Sequence, residues 1–169
     1  MTPQQEREFR EYVQARRPGL LRTAYLMCGD WHRAEDAVQS SMIKLYGAWA
    51  KTKPETADAY TRRIVTNTLI DESRRGWFRR ERSYSELPDG IIDGSRPEER
   101  LAAVSALAQL PPRQRATLVL RFWEDLPVEE TARILRCSAG TVKSQTARGL
   151  QTLRDLYENA DLAGQGAES

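Results

Sequence analysis

The chain has 169 residues, a formal net charge of +2, 30% charged positions and 40% hydrophobic positions. A domain takes about 100–200 residues, so this is one ordinary domain or two small ones, and an apolar content below the average of roughly 45–50% leaves a thin core. No run reaches the ~18 apolar residues of a membrane span, the polar start Met1-Thr2-Pro3-Gln4-Gln5-Glu6 lacks a secretory apolar stretch, and two distant cysteines, Cys28 and Cys137, form no disulfide framework and suit a reducing cytosol.

Almost every segment predicts helix, because no sustained alternation of β-branched residues occurs. Phe9, Tyr12, Val13 and Arg16 fall at helical spacing, and Pro18-Gly19 is expected to break that run. A second apolar stretch, Leu20 to Cys28, is closed by Gly29, and Asp30 caps the next helix. Over Arg33–Ala50 the residues Ala34, Ala37, Val38, Ser41, Met42, Leu45 and Trp49 form one stripe. Residues 51–58, with Pro54, predict a loop, and 59–75 another helix. The composition of 83–97, rich in Ser, Pro, Asp and Gly, predicts a linker that buries no core. The halves on either side of it are therefore expected to move independently.

After the linker, Leu101, Val104, Leu107 and Leu110 mark an amphipathic helix that Pro111-Pro112 ends. Helices follow over about 114–124, 128–136 and 139–157, and Gly164-Gln165-Gly166 opens a frayed tail. The expected fold is all-α. It comprises an N-terminal helical domain over 1–82, a linker over 83–97, a four-helix domain over 98–158 and a disordered tail over 159–169.

The near-neutral total conceals blocks of charge. Residues 61–82 hold seven basic side chains against three acidic, and residues 113–154 hold eight against four. Residues 83–112 hold two against five, and residues 155–169 hold four acids and no base. Basic blocks suit anions, nucleic acid first among them; a solvated Arg-rich helix end has the same composition.

Residues 126–150 fit a helix-turn-helix. Ala132 is small where two helices would cross, Ile134 and Leu135 fill the space beneath, and Ser138 is the expected N-cap of the second helix. On that helix Thr146, Gly149, Leu150 and Leu153 lie within about 80° of Val142, while Lys143, Ser144, Ala147, Arg148 and Gln151 lie opposite. One face packs; the other is short, polar and partly basic, and its small residues let the backbone approach base edges. Lys143 and Arg148 suit phosphate or guanine contacts, and Ser144 and Gln145 can bond bases. An ordinary solvated hairpin face would look similar. Arg136 stands where such turns commonly have glycine, and Pro127 where a capping Ser or Thr is usual.

Opposite the stripe of the Arg33–Ala50 helix stand Glu35, Asp36, Gln39, Ile43 and Tyr46. Acid and amide groups beside an exposed Ile and Tyr fit a protein-binding face, as they fit a broad stripe wrapped by a neighbouring segment.

Four motifs, in order, resemble those of bacterial extracytoplasmic-function sigma factors, a branch of the sigma-70 family, and of its actinobacterial sigma-E-like subfamily in particular. They are Arg33-Ala34-Glu35-Asp36-Ala37-Val38-Gln39, the run Tyr60 to Arg75, Leu110-Pro111-Pro112-Arg113-Gln114-Arg115, and Gly140-Thr141-Val142-Lys143-Ser144. The resemblance covers roughly residues 8–157 and departs at Ser40-Ser41, where an acidic residue is usual.

The resemblance implies a promoter-recognition subunit of RNA polymerase with no catalytic chemistry and no cofactor, acting in the cytoplasm. The first domain would be sigma region 2, docking on the β′ clamp helices through Asp36, Gln39 and Ile43. Its loop at 51–58 would cradle a flipped base of the −10 element, with Arg62, Arg63, Arg74 and Arg75 anchoring the strand and Asn67 reading a base edge. The second domain would be region 4. Thr141, Lys143, Ser144, Gln145, Ala147 and Arg148 would read the −35 major groove, and the β flap of polymerase would be a further contact. An anti-sigma factor holds many relatives.

An alternative is a helix-turn-helix transcriptional regulator whose first domain dimerises or senses a ligand; a second basic helix over 61–75 is surplus to that design. An enzyme finds no support: the sequence has one histidine, His32, no CxxC, no phosphate loop and no nucleophile–base pair.

Overall fold

The computed structural model describes residues 1–75 and 97–166, and among them the regular structure is helical throughout. The N-terminal half is three long helices: α1 (Pro3–Cys28), α2 (Trp31–Ala48) and α3 (Pro54–Arg74). The C-terminal half is α4 (Pro97–Ala108), α5 (Pro112–Leu118), α6 (Val128–Leu135) and α7 (Ala139–Gly166). Apart from Pro97, which opens α4, the expected linker over 83–97 lies outside the described residues.

Helix ends follow their local chemistry. The Thr2 hydroxyl accepts from Gln5 N at 3.1 Å, and the Gln5 side chain accepts from Thr2 N at 2.9 Å, a reciprocal cap for α1. Gly29 ends α1 in the left-handed region, φ 70°, and Asp30 caps α2 by accepting from Arg33 N at 3.1 Å. All seven residues of the expected α2 stripe are buried.

Four local expectations need correction. Pro18 does not break α1, which runs unbroken through it. An internal proline costs about 3 kcal/mol, but Leu21, Tyr25, Leu26 and Met27 beyond it are all buried against the rest of the fold, at roughly 1.5–3 kcal/mol for each large apolar side chain. The expected loop over 51–58 is shorter: Trp49–Lys51 make one 3-10 turn, and α3 already begins at Pro54, where proline sits at the first helical position and starts a helix instead of stopping it. The expected 114–124 helix is α5 followed by a π turn, Val119–Trp123, which inserts an extra residue per turn and turns Phe122 and Trp123 outward, 58% and 37% exposed. At the other end, α7 continues to Gly166 where a frayed tail was expected.

The two halves do not stand apart. Ala24, Tyr25, Val38, Leu45 and Val65 from the first half and Val104, Leu120 and Leu135 from the second belong to one apolar cluster. Buried Arg115 of α5 donates Nε to the Leu26 carbonyl at 2.6 Å, placing a cation on an otherwise unsatisfied group at the C-terminus of α1. Composition marks a segment that cannot bury a core; it says nothing about whether the helices on either side of it pack together.

Candidate nucleic-acid interface

The helix-turn-helix is α6, a three-residue turn and α7. Arg136 ends α6 in the left-handed conformation, φ 55° and ψ 49°, the geometry for which such turns commonly use glycine and which costs another L-residue about 1–2 kcal/mol. Ser138 caps α7 as expected, its hydroxyl accepting from Thr141 N at 3.0 Å. Pro127 precedes α6 without a side-chain cap, and the Thr131 hydroxyl donates back to its carbonyl at 3.0 Å.

Val142 is fully buried, and Gly149 packs so tightly that a Cβ there would lie 2.9 Å from Leu118 Cδ1. Opposite them, Lys143, Ser144, Ala147 and Arg148 are exposed on one face. Two of the expected reading residues sit differently. Thr141 is half-buried in the cap, with its hydroxyl 2.9 Å from that of Ser138. Gln145 is half-buried too, and its Oε1 is buried with no hydrogen-bond partner. Leu150, expected to pack beside Val142, is 38% exposed at the lip of a groove.

On α3, the expected −10 residues divide into two sets. Arg63 is exposed, its guanidinium 5.8 Å from the centre of the Tyr60 ring, and Arg74 and Arg75 are exposed at the helix end. Arg62 and Asn67 face the C-terminal half. Arg62 Nη2 lies 3.1 Å from Glu124 Oε2, and Nη1 lies 3.9 Å from Glu130 Oε1. Asn67 Nδ2 donates to the Arg63 carbonyl at 3.0 Å and to the Ile134 carbonyl of α6 at 3.1 Å.

On α2, Asp36, Gln39 and Ile43 share an exposed face, with Ile43 65% exposed; Tyr46, at the edge, packs edge-on against Phe9. Arg33, beside this face in sequence, is buried: its Nε meets Glu72 at 3.3 Å, and its Nη2 donates to Leu69 O and Ser73 Oγ at the end of α3. In that motif, then, Arg33 is a tie between helices and Asp36 is the exposed charge.

One surface was not foreseen from sequence. Leu107, Phe122, Trp123, Leu153 and Tyr157 line an apolar groove of about 850 Å³ between α4, the π turn and α7. The signal for it was the adjacent pair Phe122-Trp123, which no single helical stripe can bury together. Among the described residues, no group of three or more His, Cys, Asp or Glu is placed to hold a metal, and no helix is long and apolar enough to cross a membrane.

A helix-turn-helix with an exposed polar face, joined to a three-helix unit with exposed arginines and an exposed mixed face, is the architecture of a two-part helical DNA-binding protein. Comparison with known proteins specifies which kind. Sigma-70 region 2 matches residues 12–79 and sigma-70 region 4 matches residues 100–153. The chain is 39% identical to the RNA polymerase sigma-E factor of Streptomyces avermitilis, over 95% of this chain and 91% of that one, and 37% identical to the sigma-E factor of Streptomyces coelicolor, over 95% and 92%. It is 35% identical to the ECF RNA polymerase sigma factor SigE of Mycolicibacterium smegmatis, over 86% of this chain and 60% of that one. The fold is similar to the sigma factor RpoE of Bartonella quintana, solved in complex with the anti-sigma factor NepR, with a TM-score of 0.71, 22% identity, and 89% of this chain and 97% of that chain covered. The chain belongs to the sigma-70 family of RNA polymerase sigma factors, among the extracytoplasmic-function, sigma-E-like members.

Proposed function

We propose that this sigma factor directs RNA polymerase to promoters by reading the −35 element with the exposed face of α7 and holding the −10 strand along α3. It acts as a regulatory, non-catalytic subunit in the cytoplasm. The observation that carries the reading is the division of α7. Val142 and Gly149 hold one side against the core, so Lys143, Ser144, Ala147 and Arg148 are presented together on the other. Small side chains between two cations suit close approach to a groove floor with charged contacts to its walls. The buried, unpartnered oxygen of Gln145 argues against a base contact by that residue without a change of rotamer.

Region 2, over 1–82 with α1–α3, docks on the β′ clamp helices through Asp36, Gln39 and Ile43. Region 4, over 98–158, takes the β flap in the apolar groove beside Phe122 and Trp123, an arrangement suited to an amphipathic helix laid between helices. An anti-sigma factor is a further partner, supported by the fold shared with a sigma factor solved with one. The helix-turn-helix regulator reading loses its ground, because both halves match sigma regions in order. Run-off transcription with purified core polymerase on genomic fragments tests the proposal: discrete start sites that depend on this chain are expected, and their absence, with tight duplex binding by the chain alone, would restore the regulator.

A further inference from the structure

The turn between α6 and α7 contains a residue whose backbone is fully committed and whose side chain is not. We infer that Arg136 grips a backbone phosphate at the edge of the −35 groove, and that arginine is kept in a strained position for that contact. This rests on the reading of α7 as the −35 helix.

The strain has no way to relax. Arg136 has φ 55° and ψ 49°, a conformation that glycine adopts freely and that strains any residue with a Cβ. In that geometry all four last carbonyls of α6 are taken. Cys137 N donates to Ala132 O at 3.1 Å and Arg136 N to Arg133 O at 3.4 Å, the closure that a left-handed stop permits. Asn67 Nδ2 donates to Ile134 O at 3.1 Å, and Arg113 Nη2 to Leu135 O at 2.7 Å. Returning Arg136 to the ordinary helical region would break the Cys137 bond and redirect α7. The Arg136 side chain takes part in none of these bonds. It is exposed, and it forms no ion pair among the described residues. Glycine would build the same turn with less strain, so the turn itself supplies no reason for arginine.

Position and local charge supply the reason. From Thr131 to Arg154 the chain holds Arg133, Arg136, Lys143, Arg148 and Arg154 and no acidic residue, so nothing in this stretch repels a phosphate. In a helix-turn-helix the first helix crosses the DNA backbone and the second enters the major groove by its N-terminal end. A side chain at the junction of the two, just before the Ser138 cap of α7, therefore stands at the phosphates of the groove wall. A guanidinium stays charged at every working pH and takes two phosphate oxygens through parallel N–H bonds. Such a contact fixes register and adds affinity without reading sequence.

The test places the full chain on purified core polymerase and measures affinity across a salt series for two duplexes: a promoter recovered by run-off transcription, and the same fragment with its −35 element shuffled. The midpoint of thermal unfolding is read on the chain alone. Arg136→Gly is expected to raise that midpoint by about 2–4 °C as strain is released. It is also expected to weaken binding to both duplexes by about five- to tenfold at low salt, and to make log affinity fall less steeply with log salt, by about one unit of slope. Arg136→Gln keeps the strain and loses the charge, so weaker binding with no rise in midpoint is expected. Arg136→Lys is expected to recover most of the affinity and the original slope. Arg17→Gln, an exposed cation on α1, is the control for charge alone. A higher midpoint with unchanged affinity and slope for Arg136→Gly overturns the phosphate contact. An unchanged midpoint overturns the assignment of strain, and equal weakening by Arg17→Gln overturns the specific role of Arg136. The Lys143→Ala/Arg148→Ala pair is measured in parallel. If that pair binds as tightly as the parent, the reading of α7 falls and this inference with it; weakening by the pair without weakening by Arg136→Gly removes this inference alone.

Discussion

Each of the two basic blocks of this chain overlaps one long helix, α3 or α7, and the situations of the cations on the two helices are opposite. Each block has four more basic than acidic side chains by sequence, yet α7 presents Lys143 and Arg148 with no ion-pair partner among the described residues, while α3 has one of its cations between two carboxylates. The difference lies in what each helix packs on. α7 meets the core through small or apolar groups, Val142 and Gly149, which leave its polar face outward. α3 is the middle helix of the molecule: α1 and α2 take its apolar side, and α5 and α6 lie across part of the rest. A block of positive charge in the sequence therefore locates cationic groups, and packing decides which of them are available to a partner.

The contrast is broken most directly at α7. The Lys143→Ala/Arg148→Ala pair is expected to lower transcription from a −35-dependent promoter about a hundredfold, since each contact to a base or phosphate contributes ~1–3 kcal/mol. Full activity at physiological salt would remove α7 as a reader. Separately, the Arg148 single variant is expected to relax preference at one base pair and the Lys143 variant to flatten the salt dependence of binding, which a selection on randomised promoters distinguishes.

A substitution on the hidden side of the same helix sharpens the comparison. Gly149→Val drives a branched side chain into Leu118 and is expected to cost ~1–3 kcal/mol, as overpacked cores do. Thermal unfolding reads it, and an unchanged midpoint would mean that α7 does not sit where its face has been assigned. On the first half, changing Asp36 and Gln39 together to Ala leaves the α2 stripe intact and is expected to weaken binding to core polymerase tenfold or more, because hydrogen bonds to charged groups contribute ~1.5–3 kcal/mol. Equal affinity for core enzyme would reassign that exposed face.

The smallest effect belongs to the seam between α1 and α3. Burial, reinforced by a 2.6 Å hydrogen bond to Asp58, pushes the Tyr12 hydroxyl up to about 12. In the unfolded chain the phenol ionises near its ordinary value of 10.0, so the folded state binds the proton more tightly. Its contribution is fully present below pH 10 and falls as pH rises toward 12. Tyr12→Phe is expected to flatten the decline of stability across that alkaline window. It should cost ~1 kcal/mol or less at neutral pH, as for one hydrogen bond. An unaltered alkaline slope would assign the decline to other groups.

Local signals were legible wherever a residue acts within its own helix. The α2 stripe, the Asp30 and Ser138 caps, the Gly29 stop and the outward face of Lys143, Ser144, Ala147 and Arg148 all follow from a period of 3.6 and from the chemistry of helix ends, and the structure has each of them in place. The order of the four motifs was enough to identify the family. Tertiary packing decided the rest. It carried α1 through Pro18, because the buried turns beyond outweigh one lost hydrogen bond. It turned Phe122 and Trp123 outward through a π turn that no periodicity announces. It brought Glu124 to Arg62 and the Ile134 carbonyl to Asn67, partners 62 and 67 positions apart in the chain. A helical period reports which side of a helix is apolar; which distant carboxylate or carbonyl will neutralise a group on the other side depends on how whole helices stack, and only the assembled fold contains that information.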